Sequence, residues 1–301
     1  MMHADMLPPF IPQNYGLLEW NGQLNSLASA LKCSWQITTV SDSYMGELGY
    51  SSSGLEPLFQ QEGSKSKGIV NGIDNEIWDP ATDPLIEFNY TTRTVKSGKK
   101  KNKEVLCEQF GLNPELPTVA FIGRLVREKG ADLLPDLIKH FMGDEHTVNF
   151  ILLGTGDPVL HDIFSRMEDD HFGYFDATLE YNEQLAHQMY AGSDFILMPS
   201  RVEPCGLNQM FAMRYGTIPI VRSVGGLIDT VKDLSEGDGY GIRFDDFALH
   251  EAENAIVRAI ELFNNKKELQ KVVSRITKLD YSWNNSAKEY INMYNELINK
   301  K

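Results

Sequence analysis

"TVAFIGRLVREKGADLLPDLIKHF", Thr118 to Phe141, decides how the larger part of this chain folds. Its first residues form a short, apolar, β-rich run of the kind a buried strand takes, ending at the turn that begins with Gly123. Beyond that turn Leu133, Leu134, Leu137 and Ile138 recur at helical spacing, with Pro135 where a first helical turn tolerates it. The stretch is one strand-turn-helix unit. The alternation repeats as "VNFILLG" before "DPVLHDIFSRM", a strand near "FDATLEY" before "NEQLAHQMYAGS", "DFILMPS" before "GLNQMFAMRYG", and "IPIVRS" before "GGLIDTVKDL". Such repetition predicts an open parallel sheet with helices on both faces and ligands at the carboxyl ends of its strands. The tail, "EAENAIVRAIELFNNKKELQKVVSRI" and "SWNNSAKEYINMYNELINKK", reads as helical.

Upstream, "QITTVSDSYMGEL" to "SKGIVNGIDNEIWDPATDP" reads as strand-to-loop pieces of another α/β domain, too short to be a whole one. Between the two parts the basic run in "TTRTVKSGKKKNKEVLCEQFGL" is expected to be a solvated linker that turns amphipathic near Val105. The expected fold class is α/β: one complete doubly wound, Rossmann-like C-terminal domain and a partial N-terminal one. The expected divisions are 1–85, a linker at 86–104, a Rossmann-like domain at 105–280 and a C-terminal helix at 281–301 that packs back toward the first domain.

Composition narrows the function. The 301 residues are 42% hydrophobic, enough for real cores, and carry a formal charge of −14. That balance argues against a nucleic-acid partner, because phosphate-backbone affinity is built from surplus Lys and Arg. Cys33, Cys107 and Cys205 are too few and scattered for a disulfide framework, which favours a reducing compartment and a cytoplasmic location. The opening "MMHADMLPPFIPQNYG" lacks the pattern of a leader, and no stretch approaches the roughly 20 apolar residues of a membrane span. The histidines show no metal-ligand spacing, so no metal site is expected.

The chemistry gathers at strand ends. Arg124 and Lys129 in "GRLVREKG" are two cations across a loop, suited to phosphate oxygens unless they are merely solvated. Gly154 and Gly156 in "LLGTGDP" form a weak Gly-x-Gly, which a tight turn uses for positive φ with or without a phosphate. In "SRVEPCGLNQMFAMRYG", Glu203 lies on the loop and Gly206, Leu207 and Asn208 begin a helix with outward amides. A carboxylate beside anion-binding amides would not be placed to hold the anion. It suits sugar hydroxyls or developing positive charge, a combination that fits a sugar diphosphate. The plainer reading makes Glu203 an exposed helix-end cap. Cys205 reads first as a buried small residue, Tyr181 as core or cleft lining, and Asn71-Gly72 as a turn.

Five stretches, "GIVNGIDNEIWDPATD", "GRLVREKGADLL", "LLGTGDPVL", "SRVEPCGLNQMFAMRYGTIPIVRSVGGLIDTV" and "DYSWNNSAKEYINMY", fall in the order found in bacterial glycogen synthases and plant starch synthases, which the chain resembles. The resemblance implies the GT-B arrangement, two Rossmann-like domains facing across a cleft. It also implies retaining transfer of glucose from ADP-glucose or UDP-glucose to the non-reducing end of an α-1,4-glucan. The nucleotide-glucose is then a substrate, and no cofactor is implied. By the same resemblance Arg124 and Lys129 hold the donor diphosphate and Glu203 stands beside the glucosyl ring. Gly206 and Leu207 offer amides to the phosphate, Tyr181 packs near the base, and Asn71 faces the cleft from the other domain. Gly123, Cys205 and Asn208 complete the substrate-binding set.

Two family features are missing, a Lys-x-Gly-Gly-Leu loop and a His-Asn segment whose histidine serves catalysis. His3 stands in no matching context. The chain is therefore expected to start partway through the acceptor-side domain, with a separate N-terminal half as a partner. Asn208 also replaces the usual threonine. The alternatives are a nucleotide-sugar-binding module without turnover and, disfavoured by the lack of Gly-x-Gly-x-x-Gly after an early strand, a dinucleotide enzyme.

Overall fold

The structure, a computed structural model, describes residues 15–142 and 147–299; the opening segment with His3 lies outside them. The first part runs through α1 (Tyr15–Leu18), β1 (Glu19–Trp20), β2 (Gln23–Leu24), α2 (Ser26–Cys33), β3 (Ile37–Thr39), α3 (Asp42–Leu48), α4 (Glu56–Gln61) and β4 (Ser66–Gly68). β3 and β4 pair in parallel, and a small core of Ala28, Leu31, Ile37, Leu55 and Leu58 lies under them. This is a short α/β piece with two parallel strands.

The larger part comprises α5 (Val95–Gln109), β5 (Thr118–Ile122), α6 (Leu134–Phe141), β6 (Asn149–Leu153), α7 (Pro158–Asp170), β7 (Phe175–Thr178), α8 (Glu183–Gly192) and β8 (Phe195–Met198). It continues with α9 (Asn208–Arg214), β9 (Ile218–Arg222), α10 (Gly226–Thr230), β10 (Ile242–Phe244), α11 (Leu249–Asn264), α12 (Lys266–Ile276) and α13 (Trp283–Asn299). Six parallel strands lie in the order β10-β9-β8-β5-β6-β7. Counted from the first strand this is the doubly wound Rossmann order, and it reverses between β5 and β8. Alternate residues serve the two faces, as the strand period requires: Val119 and Phe121 join one cluster, Ala120 the other. β10 escaped the sequence reading because three residues at a sheet edge carry no usable period.

The basic run is not a solvated linker. α5 begins at Val95, well before Val105, and Asn102 and Lys103 are buried in it. The stems of Lys99 and Lys103 cover apolar surface while their ammonium groups find fixed partners, and Lys96, Lys100 and Lys101 stay exposed. Lys103 Nζ donates to Asp194 at 2.7 Å and to the Leu116 carbonyl at 2.6 Å. Lys99 donates to Thr217 Oγ1 at 2.7 Å and to the Tyr190 and Ala191 carbonyls at the end of α8. A run of like charges reads as solvated when its partners lie about ninety residues away.

Burial pushes Lys99 from its ordinary 10.5 down to about 7, with Asp194 opposing the fall and Lys103 adding to it. Because the folded value lies below the unfolded one, the unfolded chain binds more protons between pH 7 and 10.5, so stability gains with rising pH through that window. Thermal unfolding of Lys99→Met should lack this rise relative to the parent from pH 7 to 9. Parallel profiles would show that Lys99 stays charged in the fold.

Trp78, Ile86 and Tyr90 join the core of the larger part. Trp78 is stacked between His187 and Phe211, at centroid distances of 4.0 and 3.8 Å. Beneath it Asp83 accepts from Tyr215 at 2.5 Å and pairs with His187 Nδ1 at 2.7 Å. Burial pushes Asp83 up, but these hydrogen bonds and the Leu85 amide hold its carboxyl below the usual carboxylate value. The segment after Gly72 is thereby pinned across the sheet.

Candidate active site

The site forms where the strand order reverses. After β5 the backbone turns at Gly123, whose N–H donates to the Leu153 carbonyl at 3.0 Å, and the Leu125 N–H donates to Thr155 at 2.9 Å. A Cβ on Gly154 would lie 2.0 Å from the Gly123 oxygen, and one on Gly156 would lie 2.4 Å from the Leu125 oxygen. Both glycines have negative φ. They are needed because two backbones touch, which corrects the expectation that they supply positive φ.

The next turn brings the loops after β5 and β8 together. Gly130, at φ +71°, lies so near Pro199 that a Cβ would be 2.0 Å from its carbonyl oxygen, and the Arg201 N–H donates to the Glu128 carbonyl at 2.8 Å. Arg201 grips both oxygens of Asp132, at 2.5 and 2.8 Å. This zipper carries Lys129 onto Glu203: its Nζ donates to Oε1 and Oε2, each at 2.7 Å, and Ser200 Oγ donates to Oε2 at 2.9 Å. Glu203 is only 4% exposed, so it is no solvated helix cap. The Lys129 side chain keeps 28% exposure and faces the cleft.

Arg124 differs from Lys129. Among the described residues its guanidinium forms no hydrogen bond or ion pair, and it lies between two adjoining cavities. The smaller, 220 Å³, is lined by Lys129, Ser200, Glu203 and Leu207. The larger, 330 Å³, is lined by Trp78, Tyr181, Tyr190 and Phe211. Gly123, Arg124 and Asn208 line both. One compartment is charged and the other aromatic, a division suited to an anion joined to a flat ring.

Asn208 Nδ2 donates to the Ile122 carbonyl at 2.6 Å and ties the start of α9 to the end of β5. Gly206 has φ +73°, and a Cβ there would meet Gln209 Oε1 at 2.6 Å. The amides of Gly206 and Leu207 donate no hydrogen bond among the described residues. Cys205 is buried, and burial pushes its thiol up against a weaker opposing hydrogen bond from the Asn71 backbone. Asn71 therefore abuts the Glu203 loop from the first part of the chain. Ser41 does the same, its Oγ donating to the Pro204 carbonyl at 2.6 Å, and Glu47 Oε1 accepts from the Gly225 N–H at 2.6 Å, on the turn before α10. Tyr181 stands at the rim, 82% exposed.

The structure thus gathers Gly123, Arg124, Lys129, Glu203, Leu207 and Asn208 about one cavity, with Tyr181 at its aromatic neighbour and Asn71 behind Cys205. Sequence reasoning missed Ser200, Trp78 and Gly130. Ser200 ends the strand run just before Glu203, and Trp78 is the aromatic in "NEIWDP", so each stood in a visible motif without a visible partner.

A cleft at the switch point of a doubly wound sheet, contacted by a second α/β piece, is the layout of the GT-B glycosyltransferase fold. Residues 102–279 match the family Glycosyl transferases group 1 and residues 3–61 match the Starch synthase catalytic domain; the chain belongs to the group 1 glycosyltransferase family. It is 49% identical over 300 residues to a glycogen synthase of Flavobacterium johnsoniae, covering 98% of this chain and 62% of that protein. A glycogen synthase of Streptococcus pneumoniae is 37% identical over 291 residues, covering 94% and 60%. The catalytic domain of starch synthase IV from Arabidopsis thaliana, bound to ADP and acarbose, superposes with a TM-score of 0.84 at 33% identity, covering 92% of this chain and 59% of that one. Sucrose-phosphate synthase from Thermosynechococcus elongatus, at 19% identity and a TM-score of 0.61 over 96% of this chain and 66% of that one, shares the fold. The chain spans about three fifths of the length of the glycogen synthases it matches. Among the described residues no helix is long and apolar enough to cross a membrane.

Proposed function

We propose that this chain provides the donor side of a retaining glucosyl transfer, from a nucleotide-glucose to the non-reducing end of an α-1,4-glucan, with no cofactor. The observation that carries the reading is the Lys129–Glu203 pair at the switch point beside Arg124, whose guanidinium has no partner among the described residues. In this reading the diphosphate lies against Arg124 and the outer face of Lys129. The base lies in the cavity of Trp78, Phe211 and Tyr181, and Glu203 faces the glucosyl ring. Residues 1–85 would then belong to the acceptor side and the sheet domain to the donor. ADP-glucose is the proposed donor, because the starch synthase IV structure carries ADP and the relatives are glycogen synthases.

Glucose transfer from ADP-glucose and UDP-glucose to a glucan tests this, using the chain with and without the remaining portion of its Flavobacterium johnsoniae relative. Transfer from neither donor in the joined form would overturn it. A binding module without turnover is the second reading, favoured by the chain's 62% span of that relative, and ADP binding with no transfer in either form would select it. Arg124→Ala should weaken ADP binding roughly tenfold or more, since a charge-assisted hydrogen bond contributes about 1.5–3 kcal/mol. Unchanged affinity by calorimetry would leave Arg124 merely solvated.

A further inference from the structure

A second cavity, 440 Å³, opens at the other end of the sheet, among the turns that precede β5, β8 and β9. Pro114 and Glu115 reach it before β5, Gly192 and Asp194 before β8, and Gly216 before β9. Glu203 and Arg124 stand beyond the opposite ends of the same strands. The cavity is therefore separate from the site already described, and its volume falls within the range of small-molecule pockets.

Its charge is contrary to that of the chain. Six of the 28 basic residues line it, but only two of the 42 acidic ones, Glu115 and Asp194. Two of the six hold the wall in place: Lys103 is neutralised by Asp194, and the Lys99 amine is turned onto the end of α8. The other four are available. Arg93 and Lys96 are exposed and form no hydrogen bond or ion pair among the described residues. Lys100 reaches only Glu104, at 3.7 Å along the exposed face of α5, a pair of little strength. Lys266 lies over the Phe263 ring, 3.2 Å from its centroid, and forms no ion pair among the described residues, although Asp194 and Glu115 are near enough to act on its charge. The apolar Val95, Phe263, Leu269 and Val273 line the same cavity.

Like charges held around a concave surface repel one another, and a protein with surplus acid has no need of them there for solubility. An anion of two or more oxygens relieves that repulsion, and Arg93 offers the planar fork that matches a phosphoryl group. The apolar floor adds a demand for a carbon-bearing body. We propose that this cavity is a second ligand site, which takes a small organic phosphate with its phosphoryl oxygens on Arg93, Lys96, Lys100 and Lys266 and its body on Phe263, Leu269 and Val273.

Phenyl phosphate is the probe, titrated into the Arg124→Ala chain so that the cleft at the other end of the sheet loses its unpaired cation. The expected result is saturable binding that weakens roughly tenfold or more in Arg124→Ala with Arg93→Ala and Lys96→Ala added, since each substitution removes a charge-assisted contact. Because both added positions are exposed, thermal unfolding should be unchanged, which separates lost binding from lost fold. Inorganic phosphate should bind more weakly than phenyl phosphate, and phenol should not bind. Absence of saturable binding, or equal affinity with and without Arg93 and Lys96, would overturn the site. Equal affinity for inorganic and phenyl phosphate would overturn the role of the apolar floor. Failure here leaves the donor reading untouched, because the parent chain and Arg124→Ala are compared with ADP in a separate titration.

Discussion

If the donor-side proposal holds, Glu203→Gln should lower the rate of glucosyl transfer by roughly 10²-fold or more, the usual cost of losing one preorganised electrostatic group, while ADP should bind as well as before or better. The acid is nearly buried and takes two hydrogen bonds from Lys129 and one from Ser200. Glutamine keeps the shape but replaces one acceptor oxygen with an amide donor, which faces the ammonium in either orientation because Lys129 donates to both oxygens. The negative charge is lost where positive character would develop on the glucosyl carbon, so an interaction that strengthens in the transition state disappears and kcat falls. Lys129, no longer neutralised, presents a fuller positive charge to a diphosphate. Steady-state kinetics on the chain joined to the remaining portion of its relative, beside an ADP titration, measure both halves. Near-normal kcat with badly weakened ADP binding would make Glu203 a structural residue of its loop.

Lys129→Ala has the opposite signature. It leaves the Glu203 carboxylate buried without its countercharge, a change that costs about 3–5 kcal/mol for a fully buried pair. Because the Lys129 side chain is 28% exposed, water offsets part of that cost, and about 2–3 kcal/mol is expected. In a chain of this size the melting temperature should fall by about 3–5 °C. The bare carboxylate also repels a diphosphate, so ADP affinity should fall more than tenfold, beyond the loss of one hydrogen bond. Lys129→Ala combined with Glu203→Gln removes both charges and should recover much of the stability, and with the two single variants it closes a double-mutant cycle that gives their coupling energy. Additive effects would mean that the two side chains are neighbours without being coupled.

The strand-turn-helix repeat was legible because its signals are local: apolar runs of strand length, helical spacing at Leu133 to Ile138, and turn residues between them. Local too were the placements of Arg124, Lys129 and Glu203 at strand ends, since a parallel sheet sends every such loop to one edge. The two corrections share one cause. Lys99 and Lys103 of α5 looked solvated because Asp194 and the end of α8, which hold them, are distant in sequence. Gly154 and Gly156 looked like positive-φ turns because the touching backbones belong to separate units. Which side chains share the site was likewise beyond local reading.

The sequence by itself determined the class of fold, the edge of the sheet that carries the chemistry and the residue types available there, all consequences of period and polarity along the chain. Only the tertiary structure decided that Lys129 is spent on Glu203 while Arg124 is not, because that depends on Gly130 meeting Pro199 across two loops. Only it, too, gathered Arg93, Lys96, Lys100 and Lys266 around one cavity, since packing α12 beside α5 joins charges about 170 residues apart that no window of sequence contains together.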